Sequence, residues 1–373
     1  YNRWDKAIDF WKNKKEFFKN VSTLVTGSVI SQVVIYASIL ILARLFSTEA
    51  FGLYILFSST TLILKPIATL QYEYALVLPK KNTDAINIFG FSIIILFCFC
   101  VLLFFMILIF KESIADFFNL KKLSGFIFLL PLSIFLFASV SIFDFWNNRN
   151  SLFKNISKGL IVKSTTMSFA QISIGFSSFN YIGLIPGMLL GQLLQLYFMI
   201  KVSFKSIVKL IKKISMKEMF FLAKKYKDIP VFNTIINLTN NLSNELPILL
   251  ITKYFDIASS GIYGMAIKFI RAPIGIFQQS IGQVFFNKAS QIYNKNGDLH
   301  NLVVSTVKNL IGLSFILFIP LFIISFYLDV LFGDNWIDAG LYARILIPWL
   351  FFAFLSNPIS SLIIILNKQK TIL

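Results

Sequence analysis

Lys65, just ahead of Pro66, and Lys268 and Arg271, just ahead of Pro273, stand inside long apolar stretches of a 373-residue chain. An ionisable side chain at bilayer depth costs about 2.5 to 3.5 kcal/mol on the insertion scale, so each needs a partner, a wet cavity or a path for its head to reach the interface. Buried cations of this kind bind anions, and the planar fork of Arg271 suits bidentate contact with phosphate. Lys268 and Arg271 are three residues apart and share a helix face. The prolines free backbone carbonyls and permit bending. The alternative is structural: each cation snorkels or pairs with an internal carboxylate such as Glu73 or Glu245.

A second group of residues could bind hydroxyls. Asn233, Asn237, Asn240, Asn241, Asn244 and Glu245 recur at three- and four-residue spacing along one stretch, on a face that cannot look at lipid. Such amides could line a cavity for sugars or act as glue between helices, worth about 0.6 kcal/mol per contact. Gln278, Gln279 and Gln283, and Gln192 and Gln195, could serve either purpose. Asp144 and Glu73 fall near cytoplasmic span ends, where solvation is cheap, and neither is assigned as a proton carrier. Nothing points to a nucleophile or a metal. His300 stands alone in a polar loop, and Cys98 and Cys100 are two apart and point to different helix faces, so no disulfide or zinc site is implied.

The elements that must position these side chains are membrane spans. A bilayer needs roughly 20 apolar residues per helix. Ten such stretches run from 21 to 46, 53 to 78, 85 to 110, 124 to 146, 160 to 179, 182 to 204, 229 to 255, 261 to 286, 306 to 328 and 341 to 366. Lys and Arg crowd the N-terminal segment and every second connection: Lys80 and Lys81, then Arg149, Lys154 and Lys158, then Lys205 through Lys227, then Lys288 and Lys295. By the positive-inside rule these lie in the cytoplasm, and both ends of the chain with them. The protein is therefore expected to be an all-α polytopic transmembrane bundle. Topology explains the net charge of +18, so no nucleic acid is needed as a partner, and 57% hydrophobic residues with a mean hydropathy of +0.75 exclude a soluble globular domain. No cleavable signal peptide is visible. Trp4, Ile8, Trp11 and Phe18 at helical spacing among lysines predict an interfacial helix over residues 1–20. Trp146, Trp336 and Trp349 are expected in interfacial belts, and the 43 Phe as lipid-facing filler.

The chain also echoes itself. Arg44-Leu45-Phe46, five residues, Gly52-Leu53-Tyr54 recurs without a gap as Lys253-Tyr254-Phe255, five residues, Gly261-Ile262-Tyr263, an offset of 209 residues. Leu129, Pro131, Phe135, Phe137 and Ser139 recur as Leu346, Pro348, Phe352, Phe354 and Ser356, at an offset of 217. Both superpose span n on span n + 6. The halves are then parallel repeats, as in transporters with a substrate path between them, and the cations of the second and eighth spans face each other across a cationic cavity. The predicted organisation is an N-lobe over 21–204 (six spans), a basic cytoplasmic linker over 205–228 and a C-lobe over 229–373 (four spans). With only four spans in the second half, no Met at Tyr1 and a turn-like ending from Asn367 to Leu373, the chain reads as a fragment of a longer protein.

A family likeness lies in two motifs. Leu42-Ala43-Arg44-Leu45-Phe46-Ser47-Thr48-Glu49-Ala50-Phe51-Gly52-Leu53-Tyr54, then Gln71-Tyr72-Glu73-Tyr74-Ala75-Leu76-Val77-Leu78-Pro79, resembles the start of Wzx-type oligosaccharide flippases of the multidrug/oligosaccharidyl-lipid/polysaccharide exporter superfamily. Gln71 stands where that family usually has Arg. The resemblance implies two lobes forming a V in a bacterial inner membrane, and alternating-access export of an undecaprenyl-pyrophosphate-linked oligosaccharide for O-antigen, capsule or another surface polymer. It also implies the polysaccharide polymerase and export machinery as partners, no cofactor, and coupling to a proton or sodium gradient with no clear carrier. Lys65, Lys268 and Arg271 are the expected head-group contacts, with Asn237, Asn240, Asn241, Asn244 and Gln278 at the sugar. A multidrug or cation antiporter is the second reading, since it would need acidic residues in its cavity. A polymerase or ligase is third, because the outward loops are short.

Overall fold

The computed structural model describes residues 2–118, 121–177, 183–294, 298–360 and 362; of residues 2–21 and several in 121–124, 272–297 and 358–360 it describes the backbone alone. These residues are 92% helical and contain no strand. Twelve α-helices follow one another among them: α1 (Asn2–Leu45), α2 (Thr48–Thr69), α3 (Asn82–Phe117), α4 (Leu130–Arg149), α5 (Phe153–Gly175), α6 (Leu184–Ile211), α7 (Met216–Lys225), α8 (Asp228–Tyr254), α9 (Ile257–Asn294), α10 (His300–Ile324), α11 (Leu328–Phe332) and α12 (Ile337–Ser360). The chain divides into two compact units, Tyr1–Ser260 and Gly261–Leu373.

Seven segments among the described residues are long and apolar enough to cross a membrane. The three expected spans that fall outside this set are α5, α8 and α9, of 23, 27 and 38 residues. Their length suffices for crossing; their polarity sets them apart. They carry Lys163 and Gln171, the asparagine row, and Lys268 with Arg271. A membrane helix of that composition must turn its polar face to protein or water. The chain is a multi-pass membrane protein.

Local chemistry explains the helix boundaries. Ser47, in extended conformation, caps α2 by accepting from the Ala50 N–H at 3.3 Å, and Asp256 receives the Ser259 N–H at 2.6 Å at the start of α9. These two caps lie 209 residues apart, as do the ends of α1 and α8 and the starts of α2 and α9. The first echo in the sequence is thus also an echo of local structure. The second is less close: Pro131 opens α4, whereas Pro348 lies within α12.

Several expectations change. α2 ends at Thr69, nine residues before the expected boundary, because Pro66 weakens its last turns and Leu70 and Gln71 both adopt positive φ (47° and 57°). Lys65 therefore sits one turn from the helix end rather than mid-span. The expected linker contains α7, whose Met219, Leu222 and Ala223 are buried. Trp146 and Trp336 are core residues, not belt residues: the Trp146 ring packs 5.5 Å from Phe89, and its indole N–H donates to Ser206 Oγ at 3.2 Å. Phe51, Phe57, Phe89, Phe143 and Phe354 are likewise buried. The expectations for the N-terminal amphipathic side chains, for 178–181 and for the Asn367–Leu373 ending lie outside the described residues.

Small residues bring the helices of the first unit close together, as bilayer packing favours. A Cβ at Gly27 would collide with Ser157 of α5, and one at Gly191 of α6 would lie 2.9 Å from the Lys163 carbonyl oxygen. α5 is thus clasped between α1 and α6, which fixes where Lys163 points from.

Candidate functional site

The asparagine face of α8 lies along α2 and makes an antiparallel ladder with it. Ser59 Oγ donates to Glu245 Oε2 at 2.6 Å, Asn241 Nδ2 donates to the Leu62 carbonyl at 2.7 Å, and Asn237 Nδ2 donates to Gln71 Oε1 at 3.3 Å and to the Asn233 carbonyl at 3.0 Å. The middle rung has a specific cause. Leu62 is four residues before Pro66, which has no N–H, so its carbonyl lacks the usual intrahelical donor. Asn241 supplies that donor from the neighbouring helix. Residues 237, 241 and 245 are spaced by four and form this inward stripe. Asn240 and Asn244 lie on the adjacent stripe and are exposed, with Asn244 Nδ2 donating to the Asn240 carbonyl at 2.8 Å. The glue and cavity-wall readings therefore apply to different asparagines of one row.

Beyond Pro66 the second family motif forms a tight 3-10 segment, Tyr72–Val77, instead of continuing a span. Tyr72 Oη donates to the Ala223 carbonyl at 3.2 Å and its ring meets Phe91 edge-on at 4.9 Å, while Tyr74 packs 4.5 Å from Phe145. Arg149 clamps the segment's end, donating to the Leu76 carbonyl and to Asn82 Oδ1, both at 3.0 Å. Gln71, at the position of the family's usual Arg, is buried and tied to α8.

Four charged side chains gather beside this segment. The ammonium groups of Lys65 (α2) and Lys163 (α5) stand 4.8 Å and 5.0 Å from the centroid of one ring, Phe137 on α4. Asp144, two turns further along the same face of α4, interacts electrostatically with both lysines, and Glu73 with Lys65. Glu73 is 1% exposed and lies beside Thr69, yet among the described residues neither of its oxygens reaches hydrogen-bond geometry, and Asp144 Oδ1 is likewise buried without a hydrogen-bond partner. Two cations converging on one ring repel each other, and the carboxylates offset that repulsion. The internal-carboxylate alternative for Lys65 thus has Glu73 and Asp144 as its partners, whereas Glu245 faces Ser59.

Sequence reasoning named Lys65 and missed Lys163. A signal was present: Lys163, Met167 and Gln171 recur every four residues, and the latter two are buried. Phe137, dismissed with the other phenylalanines, is the residue the two lysines share. Lys268 and Arg271 lie in the second unit, both half-buried on α9 and both engaged with neighbouring groups. The side chains of Gln278, Gln279 and Gln283 lie outside the described residues. Gln192 and Gln195 are buried, and Gln192 Oε1 has no hydrogen-bond partner among the described residues. Among the described residues no cluster of three His, Cys, Asp or Glu stands at metal-ligand spacing.

The family described as "polysaccharide biosynthesis protein" matches residues 41–340, beginning one residue before the first motif. No curated protein matches the chain, and no solved structure does.

Proposed function

The chain belongs to the polysaccharide biosynthesis protein family, and from that membership we propose that it moves an undecaprenyl-pyrophosphate-linked oligosaccharide from the cytoplasmic to the outer leaflet by alternating access. Family and helical build mark a membrane transporter of polysaccharide synthesis rather than an enzyme. The observation that carries the finer reading is the convergence of Lys65 and Lys163 on Phe137 at membrane depth. Two ammonium groups beside an aromatic ring suit a diphosphate whose lipid tail stays in the bilayer. Exposed Asn240 and Asn244 suit glycan hydroxyls, with Gln278 as a further candidate, and Asn237 and Asn241 support them through α2. Lys268 and Arg271 are proposed as head-group contacts of the second unit. The setting would be the bacterial inner membrane with both chain ends cytoplasmic, polymerase and export machinery downstream, and a proton or sodium gradient as the driving force.

Cells lacking the gene should accumulate an undecaprenyl-linked oligosaccharide on the cytoplasmic leaflet and lose a surface polymer. Replacing Lys65 or Lys163 with Met should each lower export about tenfold, the equivalent of one charge-assisted contact. Unchanged lipid intermediates in the deletion would refute the flippase reading. One observation favours a second reading, a cation antiporter of the same superfamily: Asp144 and Glu73 place two carboxylates beside the lysines. New sensitivity to cationic drugs in the deletion, with normal glycans, would select it.

A further inference from the structure

Helix α7 joins the common end of two long helices, α6 and α8, and so lies at the edge of the bilayer. Its attachment to the protein is specific. Asn87 Oδ1 accepts from the Ser215 N–H at 2.8 Å and Asn87 Nδ2 donates to the Lys213 carbonyl at 3.1 Å, which pins the chain entering the helix. Met219 packs where α3 has only Gly90, and the Ala223 carbonyl receives the Tyr72 hydroxyl. Met219, Leu222 and Ala223 therefore face α3 and the Tyr72–Val77 segment.

The opposite face is unlike a water-facing surface. Phe221 is 62% exposed, and its neighbours three and four residues away along the helix are Lys217, Glu218, Lys224 and Lys225, all exposed. Met216 and Phe220 are equally open on the flank. Lys225 also rests over the Tyr226 ring at 5.4 Å. An exposed aromatic ring flanked by three ammonium groups is not what a hydrated polar surface would select. At headgroup level the same set is complementary on every count: the ring enters the boundary between glycerol and acyl chains, and the lysines meet lipid phosphates.

We infer that α7 is a docking helix for anionic phospholipids of the leaflet it borders, with Phe221 as the inserted residue and Lys217, Lys224 and Lys225 as the phosphate contacts. A zwitterionic surface satisfies the ring but not the excess of cations; an anionic one satisfies both. Because the other face of α7 holds the start of α3 and the family motif around Tyr72, the charge of the leaflet sets how firmly that corner of the first unit is held. The inference is independent of what the protein transports.

The test uses the whole chain in nanodiscs of phosphatidylcholine alone or mixed with phosphatidylglycerol, following amide hydrogen exchange over residues 216–225 with α8 as the internal reference. Exchange in α7 should be about tenfold slower in the anionic discs, since each cation near such a surface contributes a several-fold gain in binding. The difference should vanish in K217Q/K224Q/K225Q and shrink in F221S, all at exposed positions on which the fold does not depend. Equal exchange in the two bilayers, or equal slowing in the triple variant, would overturn the inference. So would slowing that appears in phosphatidylcholine only when a polyprenyl diphosphate is added, because α7 would then be a cargo contact.

Discussion

Replacing Asn241 with Leu will destabilise the first unit by about 2 kcal/mol, the cost of leaving a buried carbonyl without a donor. The carbonyl in question is that of Leu62, whose intrahelical donor is missing because residue 66 is proline. The same substitution in a chain that already carries Pro66→Ala will cost about 0.6 kcal/mol, the worth of an ordinary interhelical contact in a membrane, because the backbone N–H restored at that position can then close the helix itself. Pro66→Ala alone should be neutral or stabilising, since it restores a helical hydrogen bond and a better helix former. Apparent melting temperatures of the four proteins in detergent form a double-mutant cycle. Equal losses for Asn241→Leu in both backgrounds would show that the amide does something other than cap Leu62. A second readout bears on transport: if the kink at Pro66 is needed for motion, the doubly substituted chain will be stable and slow.

Gly52→Leu will abolish the folded protein or cost it about 3 kcal/mol, the upper range for overpacking. A Cβ at Gly52 would occupy the space of the Ile257 carbonyl oxygen, in the first turn of α9. A backbone oxygen cannot rotate away as a side chain can, so the corner between α1 and α2 and the corner between α8 and α9 would have to part. The control is Gly312→Ala on α10, where no described atom lies within 4 Å of the added one, and there the gain in helix propensity should leave stability equal or higher. A Gly52→Leu chain that melts with the wild type would mean that the two corners do not pack as described. Gly52 sits inside the first family motif, so the position joins the motif to a physical need: close approach of two helix starts that are themselves echoes of each other.

Much of the architecture was readable because a bilayer is a severe solvent. Apolar length, loop charge and the caps at Ser47 and Asp256 follow from local composition, and the helices lie where those signals put them. The end of α2 was misplaced because Leu70 to Pro79 is as apolar as a span; only packing of Tyr72 against α3 and α7, and the clamp by Arg149, turn it into a 3-10 segment. Trp146 looked interfacial from its place near a span end, but a helix end can be buried by its neighbours, and Phe89 and Ser206 bury this one.

The candidate site shows the same division. The sequence by itself determined that this is a polytopic membrane protein, that Lys65 needs a reason to exist and that the asparagine row cannot face lipid, because each of these follows from the cost of polarity in hydrocarbon. Tertiary structure alone decided which asparagines cap α2 and which are exposed, and that Lys163 shares Phe137 with Lys65 across three helices. Those facts depend on rotation and register between helices, which a one-dimensional pattern of polarity does not encode, and here they rest on close approaches such as that of Gly191 to Lys163.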